Sequence, residues 1–240
     1  MPLPFSLPSL SEITRGLLHL AYPQLCVACG ADTPAGAACF CLTCRTKLSP
    51  ADMHLHRENE FTERFWGRLW LEGGAAMYYF HRKSPIQRAL HQLKYQNQPQ
   101  IGVQIGREFG RKLRQSPLFQ TLEGIVPVPL HARKERTRGY NQSAMLAQGI
   151  AEIMAVPVLT GALVRPLFTA TQTNKKRMER FENVGDVFAI QHPDRLRGKH
   201  LLLVDDVLTT GATLETCGQL LLGLPDTRLS MATIAIAMTG

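Results

Sequence analysis

The sequence predicts an α/β fold with a mostly parallel sheet, preceded by a small cysteine-rich module. Three observations carry this reading. From residue 74 onward, strand-like apolar runs alternate with segments of helical periodicity, the pattern of parallel strands joined by crossover helices. Residues 199–204 are so apolar that they read as a strand covered on both faces. Five of the six cysteines fall between Cys26 and Cys44, in a stretch too short to build a hydrophobic core of its own.

The elements follow in order. Leu10, Ile13, Leu17 and Leu20 sit at the spacing of a short amphipathic helix with a packing face, while Glu12, Arg15 and His19 interrupt any membrane-length run. No basic leader precedes them, so neither a signal peptide nor a span is expected, and a cytoplasmic protein is. Polar residues 49–64 then mark a boundary, giving a module of residues 1–60 and an α/β domain of residues 61–240. Residues 74–80 read as the first strand. Ser84-Pro85 supplies an N-cap and a proline at the first helical position, with Ile86, Leu90 and Leu93 following at helical spacing. A second helix is expected over residues 101–114. Residues 124–129 read as a buried strand that must stop at Pro127 and Pro129, followed by a basic loop and a helix over residues 142–154. A β-like run at residues 158–164, the strand at 199–204, a helix at 211–224 and a strand at 231–238 complete the chain.

Cys26 and Cys29 form one pair with two residues between, Cys41 and Cys44 form another, and eleven residues separate the pairs. Two such knuckles supply four thiolates to a tetrahedral zinc, which stabilises a segment that could not otherwise fold. Four thiolates leave no open position for water, so this zinc is structural. Cys39 could take the place of Cys41 with a modest change in loop path. Cys217 reads as a small core residue.

The segment from Leu201 to Thr213 is the richest in chemistry. An apolar strand runs into Asp205 and Asp206, then into Val207, Leu208, Thr209, Thr210 and Gly211, and then into a helix from Ala212 and Thr213. The carboxyl end of a parallel strand is where ligands bind in open α/β sheets. Turn amides, the helix N-terminus and the hydroxyls of Thr209, Thr210 and Thr213 can surround a phosphate. Asp205 and Asp206 can accept hydrogen bonds from vicinal ribose hydroxyls, and their charge suits a nearby magnesium complex.

The net charge of +8 is concentrated in Arg133, Lys134, Arg136, Arg138 and in Lys175, Lys176, Arg177, Arg180, which points to anionic partners. The first cluster reads either as a grip for pyrophosphate or nucleic acid or as a solvated basic loop, with Gly139 freeing the backbone for close approach. Tyr140 could offer a face for base stacking or pack at a helix start. Lys94 and Tyr95 close a helix ahead of the core, as ligands or as snorkelling surface residues.

The thirteen-residue order from Leu201 to Thr213 resembles the phosphoribosyl pyrophosphate signature of type I phosphoribosyltransferases. That resemblance implies the type I phosphoribosyltransferase fold, ribose contacts from Asp205 and Asp206, and 5-phosphate contacts from residues 207–213. Two further segments narrow it. Pro127 to His131, with Arg133, Arg136 and the run Arg138-Gly139-Tyr140-Asn141-Gln142-Ser143, resembles the central motif of ComF proteins, phosphoribosyltransferase-like proteins linked to bacterial DNA uptake. Arg165, Thr169, Gln172, Arg180, Asn183 and Phe188 match a second ComF motif, the hood loop, although Leu167 and Lys175 depart from it. In that family a zinc-ribbon-like four-cysteine module precedes the sheet, as here.

The resemblance implies a protein that binds phosphoribosyl pyrophosphate with magnesium and acts in natural competence, with single-stranded DNA and competence-machinery proteins as further partners. The alternative is a small-molecule phosphoribosyltransferase that transfers the pentosyl group to an amine or nucleobase and has no DNA role. No residue stands out from the sequence as a general base, so catalytic residues are not assigned.

Overall fold

The structure is a computed structural model that describes residues 23–33, 39–165 and 188–238. At the N-terminal side, β1 (Gln24–Leu25) and β2 (Asp32–Thr33) pair antiparallel, and α1 (Leu42–Arg45) follows. A short helix, α2 (Glu60–Glu63), leads into β3 (Gly73–Phe80). Two longer helices, α3 (Pro85–Tyr95) and α4 (Pro99–Arg114), precede β4 (Gly124–Pro127). Then come α5 (Ala132–Arg138), α6 (Gln142–Met154) and the antiparallel pair β5 (Leu163–Val164) and β6 (Ala189–Ile190). The chain closes with β7 (His200–Leu208), α7 (Ala212–Leu222) and β8 (Arg228–Ala237).

Four strands form one parallel sheet in the order β3-β8-β7-β4, flanked by helices. The α/β class read from the sequence is the class observed. β7 lies inside the sheet, with Leu201, Leu202, Leu203 and Val204 fully buried, as a strand covered on both faces requires. It runs past the apolar residues to Leu208 because pairing with β8 continues to Leu208↔Ile236. The two carboxylates therefore stand on the strand itself.

Local sequence sets the helix boundaries. Ser84 Oγ accepts the Gln87 amide at 3.3 Å and Pro85 opens α3, as expected for an N-cap with proline at N1. Asn141 caps α6 by accepting the Ser143 amide at 3.0 Å. Glycines let α4 and α6 touch backbone to backbone. A Cβ on Gly106 would stand 2.3 Å from the Leu146 carbonyl oxygen, and one on Gly149 would stand 2.1 Å from that of Val103.

The stretch expected as a basic loop after β4 is a helix, α5, capped by His131 Nδ1 accepting the Arg133 amide at 3.2 Å. None of its residues is buried, so it has no apolar stripe for periodicity to detect. Gly139 ends it with φ 83°, and nothing lies within 4 Å of where its Cβ would be. Its role here is the left-handed helix stop, not close approach to another backbone.

The polar segment after the cysteines lies along the sheet. The Tyr79 amide donates to the Ser49 carbonyl at 2.8 Å and the Ala51 amide to the Met77 carbonyl at 3.1 Å, so residues 49–51 line the outer edge of β3. At the opposite edge, Ile125 of β4 exchanges hydrogen bonds with Pro157 and Leu159 at 2.9 and 2.8 Å. Cys26, Val27, Phe40, Phe61 and Phe65 belong to the same apolar cluster as the sheet. No helix among the described residues is long and apolar enough to cross a membrane.

Candidate ligand and metal sites

The cysteine knuckles fold so that the ligand atoms of Cys26, Cys29, Cys41 and Cys44 all lie within 4.8 Å of one another. Cys29 Sγ and Cys41 Sγ are 3.7 Å apart. Such convergence is what tetrahedral zinc–thiolate coordination needs, so the four residues fit that ion. Without a metal, burial pushes Cys44 up to about 12. At Cys26 burial acts in the same direction, yet hydrogen bonds from the Cys41, Ala28 and Cys29 backbone outweigh it and bring the thiol down to about 7.

Cys39 is turned away from this group. Its thiol donates to Glu108 Oε2 at 2.8 Å and its amide approaches the same oxygen at 3.4 Å. Burial first, and the Glu108 charge second, hold the thiol well above its ordinary range. The choice between Cys39 and Cys41, which spacing leaves open, is made by a carboxylate on α4 and falls to Cys41. Cys217 is fully buried on α7.

At the carboxyl end of β7 the two adjacent aspartates meet different partners. Asp206, 8% exposed, accepts Lys94 Nζ and Gln142 Nε2, each at 2.9 Å, through Oδ2. Asp205 Oδ1 accepts Ser143 Oγ and the Asp206 amide, each at 2.8 Å. Burial, then the neighbouring Asp206 charge, pushes Asp205 up to about 7. The ends of α3 and α6 thus converge on the carboxylates. Gln142 Oε1 is buried without a partner among the described residues.

Beyond Leu208 the chain makes a turn. Thr209 and Thr210 are exposed, and Gly211 opens α7 with φ 86°; it has no side chain to cap the helix, and Thr210 Oγ1 accepts the Ala212 amide at 3.4 Å. The first amides of a helix have no intrahelical acceptor, and here only the long contact from Thr210 Oγ1 meets one of them, so this start can receive an anion. Ala212 and Thr213 are also exposed there, whereas Val207 and Leu208 are still strand and Leu208 is in the core. Leu208 can offer a ligand only its main chain, whereas Val207 is half-buried.

An open basin of about 780 Å³ is lined by Lys94, Tyr95, Arg133, Lys134, Arg136 and Arg138, and Lys94, whose Nζ reaches Asp206, links it to the carboxylates. The Arg138 guanidinium stands 5.7 Å over the Tyr95 ring, with its Nη1 buried and without a partner among the described residues. Tyr95 is 70% exposed, while Tyr140 is buried with its hydroxyl donating to the Leu93 carbonyl. The exposed aromatic face of the basin is therefore Tyr95. Of the hood-loop residues, Arg165 stacks 5.4 Å over Phe188, and Thr169, Gln172, Arg180 and the basic run 175–177 lie outside the described residues.

These features define a class: an α/β protein with a four-thiol module at its N-terminal side and paired carboxylates at the end of an inner strand. No protein-family model matches the chain. It is 28% identical over 211 residues to Competence protein F of Haemophilus influenzae, a match covering 86% of this chain and 88% of that protein. It is 33% identical over 141 residues to the DNA utilization protein YhgH of Salmonella typhimurium, spanning 58% of this chain and 61% of that protein. Over 98 residues it is 31% identical to the Competence protein ComFC of Bacillus subtilis, 41% of this chain and 38% of that one. These similarities support placing the chain with the ComF proteins.

Proposed function

We propose that this protein binds phosphoribosyl pyrophosphate with magnesium at the carboxyl end of β7 and acts in DNA uptake or utilization. The observation that carries the reading is the paired Asp205 and Asp206, held by Ser143, Gln142 and Lys94 immediately before a hydroxyl-rich turn that opens a helix at Gly211. Vicinal ribose hydroxyls donate to the two carboxylates, and the 5-phosphate sits in the turn of residues 209–213. Arg133, Arg136 and Arg138 across the basin take the pyrophosphate, with Lys94 between the two halves of the donor. The names of the relatives, competence protein and DNA utilization protein, support the DNA role. The basic rim, including Lys134, beside the exposed Tyr95 suits single-stranded DNA as a further partner.

A donor that binds only the folded protein stabilises it by mass action. At a hundredfold excess over Kd the gain is about 2.7 kcal/mol, which for a chain of this size raises the thermal midpoint by roughly 5–10 °C. Asp206→Asn weakens this shift, and Asp205→Asn with Asp206→Asn abolishes it. The same double variant fails to restore DNA uptake in cells lacking the protein. Calorimetric affinity left unchanged by the double substitution would place the donor elsewhere.

The four thiols bind one zinc ion that holds the N-terminal module together. Metal analysis of protein purified without chelator gives one zinc per chain, and Cys26→Ser protein gives far less. Chelation lowers the thermal midpoint of the wild type, because metal binding and folding of such a module are linked. Protein that contains no zinc as purified rules this assignment out.

A further inference from the structure

Arg64 lies far from the phosphate turn in sequence and beside it in space. It caps α2, its side chain is 15% exposed, and its guanidinium donates to two strand-end carbonyls: Thr209 at 3.1 Å through Nη1 and Ala237 at 2.8 Å through Nη2. The first belongs to the turn after β7 and the second to the end of β8, its neighbour in the sheet. Glu60 Oε1 accepts from the same guanidinium at 3.4 Å.

The base of this arm is rigid. The Asn59 side chain accepts the Phe61 and Thr62 amides at the start of α2, while its Nδ2 donates to the Gly74 carbonyl at 3.0 Å. Phe61 and Phe65 are fully buried. A Cβ on Gly211 would stand 3.2 Å from the Phe65 ring, so the residue after Arg64 forms the floor of the turn. One helical turn further on, Arg68 Nη1 pairs with Glu215 Oε2 at 2.5 Å, and Arg68 Nη2 donates to the Arg64 carbonyl. That pairing neutralises an acid in the first turn of α7 that would otherwise repel an anion.

We propose that Arg64 is the positioning residue of the phosphate turn, fixing which way the Thr209–Thr210 peptide faces. In a trans peptide the carbonyl and the amide point in opposite directions, and no cis bond occurs among the described residues. With the Thr209 carbonyl drawn toward Arg64 beneath the turn, the Thr210 N–H faces the outer side, where Thr209 and Thr210 are exposed. A flipped peptide would present a carbonyl oxygen to the phosphate in place of a donor. The guanidinium also places a positive charge under the turn. This inference rests on the reading of residues 209–213 as a phosphate site.

Titration of the full chain with ribose 5-phosphate and, separately, with pyrophosphate tests it, because Arg64 lies under the turn and not in the arginine-lined basin. Arg64→Met is expected to weaken ribose 5-phosphate binding about tenfold, the scale of one charge-assisted hydrogen bond, and to leave pyrophosphate within about twofold. Arg64→Lys, which keeps a charged donor, recovers most of the loss, and Arg64→Gln serves if the Met variant does not fold. Equal losses for the two ligands, or none for either, overturn the proposal. If wild-type protein does not bind ribose 5-phosphate, the phosphate reading of the turn fails instead. Amide exchange then judges Arg64 by itself: the end of β8, whose Ala237 carbonyl Arg64 holds, exchanges faster in Arg64→Met with the cysteine module unchanged. Exchange there that matches wild type, or a rise spread over the whole chain, refutes the positioning role.

Discussion

Gly149→Ala is expected to lower the thermal midpoint by about 10 °C or to prevent folding, although on helix propensity alone the change would stabilise by up to about 1 kcal/mol. The reason is contact. The new methyl would lie 2.1 Å from the Val103 carbonyl oxygen, 2.8 Å from the Arg107 amide nitrogen and 2.9 Å from the Gly106 Cα, all backbone atoms that no rotamer change can move. Relief requires α4 and α6 to separate, and overpacking of this kind costs about 3 kcal/mol or more, or roughly 6–12 °C at this chain length. The damage reaches the site, since Gln142 and Ser143 at the start of α6 hold the two aspartates. Gly218→Ala on α7 is the control. Its methyl would meet the side-chain ends Met231 Cε at 2.7 Å and Leu69 Cδ1 at 2.8 Å, which can give way. Thermal denaturation of both variants should show a loss several times larger for Gly149; equal losses would mean that the helix crossing is not tight.

Asp205→Asn is expected to make the ligand-free protein more stable at pH 8 while impairing donor binding. An aspartate in an unfolded chain titrates near about 3.9, whereas burial, then the Asp206 charge, pushes Asp205 up to about 7 when folded. Between those values the folded protein holds a proton that the unfolded chain has lost, so stability falls as pH rises from about 4 to about 7 and is level above. Asparagine keeps an acceptor for Ser143 Oγ and the Asp206 amide and removes the buried charge. If roughly half of the linkage is realised, the gain at pH 8 is about 2 kcal/mol, or about 4–8 °C, and falls to about a third of that at pH 5. On the proposed reading of the site, affinity for phosphoribosyl pyrophosphate falls at least about tenfold over the same series, since the acceptor proposed for the ribose has been neutralised. Melting curves across pH 5–8 decide the matter. A gain independent of pH, or none at pH 8, excludes a destabilising carboxylate at this position.

The residues that were legible in the sequence are those whose chemistry is contiguous. The strand, the aspartate pair and the turn follow one another between Leu201 and Thr213, so a single pass along the chain exposes them. Their partners are not contiguous. Lys94, Gln142 and Ser143 reach the carboxylates from two helices, and nothing local in a lysine near a helix end distinguishes an ion pair with a buried aspartate from a solvated side chain. Arg64 was likewise hidden, because its target is a backbone carbonyl 145 positions away. The same holds for Cys39: spacing alone admits it as a ligand, and Glu108 from α4 turns it away. α5 was missed for a different reason, since a helix with no buried face carries no hydrophobic period; only its terminal Gly139 was visible.

The pairing of residues 49–51 with the edge of β3 bears on how the protein behaves in a crowded cell. A parallel sheet normally ends in two rows of unpaired peptide groups, each able to recruit a strand from another molecule. Here one row is covered at Met77 and Tyr79 by the segment leaving the cysteine module, and the other at Ile125 by residues 157–159. Association between copies through open-ended strand addition is thereby blocked at both margins. The first of these guards is only as secure as the module from which it emerges. With zinc held by the four thiols as proposed, stripping it would loosen residues 49–51 and bare the β3 margin, so that chelation leads to aggregation through exposed strand edges before it leads to loss of the sheet itself.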